Sequence, residues 1–162
     1  MMNKVSAEFR SSLQPSPNVI VSCRGKDGAD NALAVAYCCN CSFDPPMVMA
    51  GIVLSNYSHH MIKESGCFVV NLINADNKEM FDYVGSHSGR DGDKLKAIKA
   101  KTSDGEMINA PILDDCPVNI ECVVEDSIVT GSHEMFVGKI VYVHADEKLL
   151  NDDGTVNLAK KG

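Results

Sequence analysis

A mainly β fold, a Greek-key-like barrel with short helical insertions, is the class this sequence predicts. Three observations carry it. β-branched runs follow one another through turn residues rather than through helices, which argues against a doubly wound α/β sheet. Two stretches in the second half alternate with period two. The helical patterns between the strands are all short.

Asn18–Cys23 reads as a first strand, with Pro15 and Pro17 ahead of it as punctuation. Lys26–Asn31 supplies turn chemistry, and Ala32–Cys41 returns as a second strand to form a hairpin. Asp44-Pro45-Pro46 stops the sheet pattern, because proline cannot donate to a ladder and restricts its predecessor. A third strand follows over Met47–Leu54. Ser58 reads as the N-cap of a helix with Met61, Ile62 and Ser65 on one side and Gly66 as its C′ stop. Cys67–Ile73 is a strand, and Asp76–Val84 and Asp93–Ala100 have helical spacing. Val118–Glu125 and Phe136–His144 alternate as strands. With no internal repeat, linker or low-complexity run, a single domain over 1–162 is expected.

Composition narrows the function classes. Hydrophobic residues make up 44% and charged residues 23% of 162 residues, which is enough for a real core. The net charge of −7 argues against a general nucleic-acid binder, since neutralising phosphates needs clustered Lys and Arg. Met1–Leu13 lacks the apolar region of a signal peptide, and the longest apolar runs are strand-sized. The expectation is a soluble, cytoplasmic protein without membrane partners. Seven cysteines without a secretory signal favour reduced thiols over a disulfide framework. Cys38 and Cys41 form a C-x-x-C, but no second pair completes a zinc site. On a strand, Cys39 and Cys41 share one face and Cys38 takes the other, which suits small core or pocket-lining residues.

Three stretches have the residue types for chemistry. Ser55-Asn56-Tyr57-Ser58-His59-His60 lies between a strand and a helix, where free amides and the positive end of the helix dipole suit a phosphate. An ordinary polar N-cap accounts for the same residues. Gly85–Lys94 is rich in small residues and donors, with Arg90 and Lys94 near its end; it matches neither a P-loop nor a dinucleotide fingerprint. It reads equally as a solvated loop. Gly131-Ser132-His133 leads into a strand and places a histidine able to move a proton near neutral pH, or simply a turn histidine.

Taken in order, these stretches resemble the flavin reductase-like (flavoredoxin-like) family. The resemblance rests on Asn31–Tyr37, Ser42-Phe43-Asp44-Pro45-Pro46, Asn56-Tyr57-Ser58 with Ile62, and Gly66–Leu72. It continues through Ser88-Gly89-Arg90 with Asp93-Lys94, Ala110-Pro111, Cys116-Pro117-Val118, Glu121-Cys122, and Gly131-Ser132-His133 with Phe136-Val137-Gly138. No single motif is specific; the collinear set is. The resemblance implies an FMN-binding split β-barrel working as a homodimer, with electrons supplied by NAD(P)H or a redox protein. It implies flavin contacts from Asn31, Ala36, Tyr37, Cys38, Asn40 and Cys41. It further implies phosphate contacts from Ser58 with Ser55, Asn56 and Tyr57, and additional contacts from Ser88, Gly89, Arg90 and Lys94. His133 is implied beside the flavin or its electron donor, as the catalytic residue. Two features depart from the family's pattern: Tyr37 stands where a Trp is common, and the group Cys38, Cys39, Cys41 is unusual. The reading in a different class is a metal-binding or structural barrel built on Cys38, Cys41 and the histidines.

Overall fold

Seven strands pair into one wholly antiparallel sheet in the computed structural model, which describes residues 1–160. In chain order these are β1 (Val19–Arg24), β2 (Asp30–Val35), β3 (Cys38–Ser42), β4 (Met47–Val53), β5 (Cys67–Leu72), β8 (Val118–Thr130) and β9 (His133–Ala145). A small β6–β7 ladder, Thr102–Asp104 against Pro111–Leu113, lies apart from them. The spatial order is β2-β1-β5-β8-β9-β4-β3. Positions 161 and 162, the end of the domain expected over 1–162, lie outside the described residues.

The second strand is not continuous as the sequence suggests. It breaks at Ala36 and Tyr37, so that β2 pairs with β1 while β3 pairs with β4. These are opposite edges of the sheet, and two residues can join them only if the sheet curls round on itself. The result is a split barrel whose edges meet at Tyr37 without closing. Tyr37 O accepts from Gly51 N at 2.8 Å there, and a Cβ on Gly51 would come within 2.6 Å of the Met135 sulfur and 3.2 Å of the Tyr37 Cβ, so a larger residue would have to push these side chains aside.

The barrel interior is filled by Val21, Leu33, Ile52, Phe68, Cys122 and Phe136 among others. β8 and β9 are each 13 residues long, longer than their alternating stretches suggested. Helix α1 (Tyr57–Ser65) turns Ser58, Met61 and Ile62 inward. It stops at Gly66 as expected, where the left-handed φ of 71° lets the amide reach back to Ile62 O. Its N-cap, however, is Asn56 and not Ser58. Asn56 is extended, and its Oδ1 accepts from Ser58 N at 2.9 Å, which places Ser58 inside the first turn.

The second helical stretch begins as a 3₁₀ turn over Ala75–Asn77 and continues as α2 (Lys78–Ser86); α3 covers only Lys94–Ala97. Both helices pack outside the β1–β2 end through Ile20, Ala32, Val84, Leu95 and Leu113. This packing brings the loop between them against the start of α1. The buried Asn71 amide donates to Ile20 O and Ser22 Oγ, and its Oδ1 accepts from Leu113 N and Asn119, pinning β7 to the sheet. Among the described residues no helix is long and apolar enough to cross a membrane.

Candidate functional site

β4 ends at Val53, and the chain turns sharply into α1, with Asn56 N donating to Val53 O at 2.9 Å. The loop after α2 closes over this turn. Arg90 Nη2 donates to Ser55 O at 3.0 Å, and its guanidinium lies 5.8 Å from the centroid of the Tyr57 ring. A Cβ on Gly89 would fall 2.3 Å from Tyr57 Cδ1, so only glycine lets the loop sit this close. Between the two segments is a cleft of about 370 Å³. Ser55, Asn56, Tyr57, Ser88, Gly89, Arg90 and Lys94, all singled out from the sequence, line it together. Val53, Gly85, Ser86 and His87 complete the wall.

The wall carries two cations, several hydroxyls and no carboxylate, although acidic residues outnumber basic ones by 22 to 15 in the chain. Lys94 is buried, and its ammonium has a single protein partner among the described residues, Val84 O at 2.9 Å. Burial without a carboxylate beside it lowers its pKa. An anion entering the cleft would supply the charge this lysine lacks. The donor set therefore fits the phosphate of a flavin mononucleotide.

Residues 11–158 match the family model described as the flavin reductase like domain. The chain belongs to the flavin reductase-like family. It is 32% identical over 106 residues to an uncharacterized protein of Archaeoglobus fulgidus, covering 65% of this chain and 60% of that protein. The chain thus spans less than two thirds of that relative's own length. An NADH:riboflavin 5′-phosphate oxidoreductase of Streptomyces pristinaespiralis is 24% identical, over 82% of this chain and 72% of its own. Among solved structures, flavoredoxin of Desulfovibrio vulgaris (Miyazaki F) superposes with a TM-score of 0.90 at 28% identity, covering 98% of this chain and 85% of flavoredoxin.

Within this flavin reductase-like fold the remaining sequence-predicted residues fall into three places. Asn31 and Ser58 are buried behind the cleft. The Asn31 amide donates to Ser58 Oγ at 2.7 Å, and the Ser58 side chain is fully buried rather than part of the cleft wall. Ala36 and Tyr37 form the break between the sheet edges. Here the Tyr37 ring lies 4.9 Å from the ring of His133, whose Nδ1 is 2.7 Å from Ser132 Oγ. His133 pairs with Val53 on β4, so Tyr37 and His133 stand beside the cleft wall.

The third place is β3. Cys38 faces the core and burial pushes its thiol up to about 12, while Asn40 and Cys41 are exposed on the edge strand and do not line the cleft. The ladder shifts register between Asn40 and Ser42, so Cys41 is a bulged residue. The simple alternation expected of Cys39 and Cys41 does not extend through it. Among the described residues no three His, Cys, Asp or Glu side chains converge as a group able to hold a metal ion.

Sequence reasoning gave no role to two buried carboxylates, Glu134 next to this site and Glu121 on β8 away from it. Glu134, next to His133, accepts from Lys63 Nζ at 2.7 Å, Ser127 Oγ at 2.6 Å and His59 Nε2 at 2.6 Å. The bonds from Lys63 and Ser127, with His59 adding to them, outweigh burial and hold its carboxyl down to about 2, from an ordinary 4.5. A folded pKa below the unfolded one means that this stabilisation is complete above the unfolded value and lost as the pH falls toward the folded one. Urea denaturation is expected to show Glu134→Gln clearly less stable than wild type near neutral pH, with the gap narrowing between about pH 4.5 and 2. A constant gap over that range would mean the carboxylate charge is irrelevant. No local pattern marks these glutamates, because each lies in an alternating strand whose partners come from distant segments.

Proposed function

We propose that the chain binds FMN in the cleft between the start of α1 and the 87–94 loop, and that it works as a flavin-dependent oxidoreductase. The observation that carries this reading is the carboxylate-free wall around Arg90 and the buried Lys94. Bound FMN supplies the redox chemistry, accepting and passing on electrons. Arg90 and Lys94 neutralise the phosphate, and the hydroxyls of Ser55 and Ser88 donate to it. Asn31 and Ser58 hold the helix turn from behind. Tyr37 and His133 stand at the other end of the site, where His133 orients an electron donor or stabilises charge on the reduced ring.

The test is direct. The protein titrated with flavins is expected to bind one FMN per chain, more tightly than FAD, because the cleft has one anion site and the chain no dinucleotide fingerprint. Tighter binding of FAD would overturn this. Arg90→Ala and Lys94→Met are each expected to weaken FMN binding by about 1–3 kcal/mol, the range for charge-assisted hydrogen bonds. Riboflavin, which lacks the phosphate, should bind both variants almost as well as wild type. Equal losses for the two flavins would remove the cations from the phosphate site.

NAD(P)H is the donor in one version of this function, a reductase of flavin or another acceptor, which the likeness to the Streptomyces enzyme supports. The overall likeness to flavoredoxin supports a second version, an electron carrier fed by a protein partner. Anaerobic mixing with NADH, NADPH or a reduced redox protein, followed by the loss of yellow colour, separates them. The working unit in either version is a homodimer in the cytoplasm. A monomeric mass by light scattering with flavin fully bound would exclude the dimer.

A further inference from the structure

We infer that Glu134 is a positioning residue of the cleft, holding the first turn of α1 at a set distance from the strand that carries His133. The inference rests on the reading of the cleft as an FMN site. A carboxylate this buried is costly unless every oxygen is paired, and a buried ion pair by itself seldom adds much stability over a well-packed apolar side chain. What the arrangement gives is geometry. One oxygen accepts from His59, and the other accepts from Lys63 and Ser127. His59 and Lys63 are four residues apart on α1 and so share one helix face, which is tied to β9 through a single side chain.

The strand that receives the helix also carries the other end of the site. His133 and Glu134 are neighbours on β9 and point to opposite faces, so one meets Tyr37 while the other meets α1. Their partners on β4 are Val53 and Ile52. Val53 O accepts from Asn56 N, the cap of α1, and Leu54 N donates to Ser132 O. Backbone bonds thus fix where the helix begins, and Glu134 fixes how its first turn is tilted. The tilt sets where Asn56, Tyr57 and the helix amides face the phosphate. Glu134 does not line the cleft, so its effect is exerted through α1.

Glu134→Gln keeps the shape of the side chain, but turns an amide NH₂ toward donors that need an acceptor. Two readouts test the inference: hydrogen exchange of the α1 amides without flavin, and the affinities for FMN and riboflavin. Exchange across Ser58–Ile62 is expected to speed up, and FMN affinity to fall on the order of tenfold, as for other supporting-shell changes, with riboflavin affinity nearly unchanged. Unchanged exchange in α1 would overturn the inference, and so would parallel losses of FMN and riboflavin. Failure of wild type to bind FMN would overturn the cleft reading and this inference with it. Loosened α1 exchange in Glu134→Gln would then show that the glutamate anchors the helix for another reason. If Glu134→Gln does not fold, His59→Ala carries the same two readouts with the same expectations.

Discussion

His133→Ala is expected to retain FMN and to slow flavin reduction by the physiological donor by about 10²–10⁴-fold, the range for a proton-handling side chain. The side chain opens β9 directly after the Gly131-Ser132 turn, so its backbone is held by the ladder to β4 while the ring remains partly exposed. Ser132 Oγ engages Nδ1 and Tyr37 packs against the ring, which leaves Nε2 without a protein partner among the described residues. A nitrogen held in this way can orient a donor or carry a proton beside reduced flavin. Cofactor content should not change, because the residues assigned to the phosphate lie on α1 and the 87–94 loop. Rapid mixing of the FMN-loaded protein with each donor measures the effect. An unchanged reduction rate with every donor would make His133 a turn histidine. Ser132→Ala is expected to show a smaller effect in the same direction, since it loosens the ring without removing it.

Glu121→Ala is expected to cost about 3–5 kcal/mol of stability, the range for removing one member of a buried charged pair. Glu121 is fully buried on β8 and accepts from the backbone amides of Glu106, Met107 and Ile108 at 2.9, 2.8 and 3.1 Å. His144 Nε2 adds a fourth bond at 2.5 Å. Burial alone would raise its pKa, but the backbone amides and His144 together bring it below the ordinary carboxylate value. Removal strands three amides that have no other partner among the described residues, and each stranded donor costs more than a made hydrogen bond returns. Glu121→Gln should recover less than half of the loss, because its NH₂ faces donors. Gly105 shows how tight the loop is, since a Cβ there would lie 2.6 Å from Ile108 O and 2.8 Å from Glu121 Oε1. Chemical denaturation of both variants measures the cost, and a loss under about 1 kcal/mol would mean the loop finds water instead.

The local chemistry of the chain was legible where it is set by neighbours in sequence. Alternation in Val118–Glu125 and Phe136–His144 marked parts of the two long strands, and Gly66 marked the end of α1, because side-chain period and a left-handed C′ residue are local properties. Composition marked the donor-rich loop around Ser88–Lys94 and the turn at Ser55–Tyr57 as candidate stretches, each with a plain structural reading beside it, and only the ordered resemblance singled them out. Ser58 was a different matter. A serine two residues into a helix and a serine at its cap look alike in sequence, and only the Asn56 side chain closing on Ser58 N distinguishes them.

The sequence by itself therefore determined the strand-rich class, the family, and which short segments carry donors for an anion. Tertiary structure alone decided that the strand after the first turn breaks at Ala36–Tyr37 to join opposite sheet edges. It also decided that Arg90 reaches Ser55 across 35 positions, and that Glu121 and Glu134 are buried and paired. The physical reason is range. Propensity, capping and alternation act over one or two turns of chain, whereas the cost of burying a charge depends on donors brought from distant segments by packing.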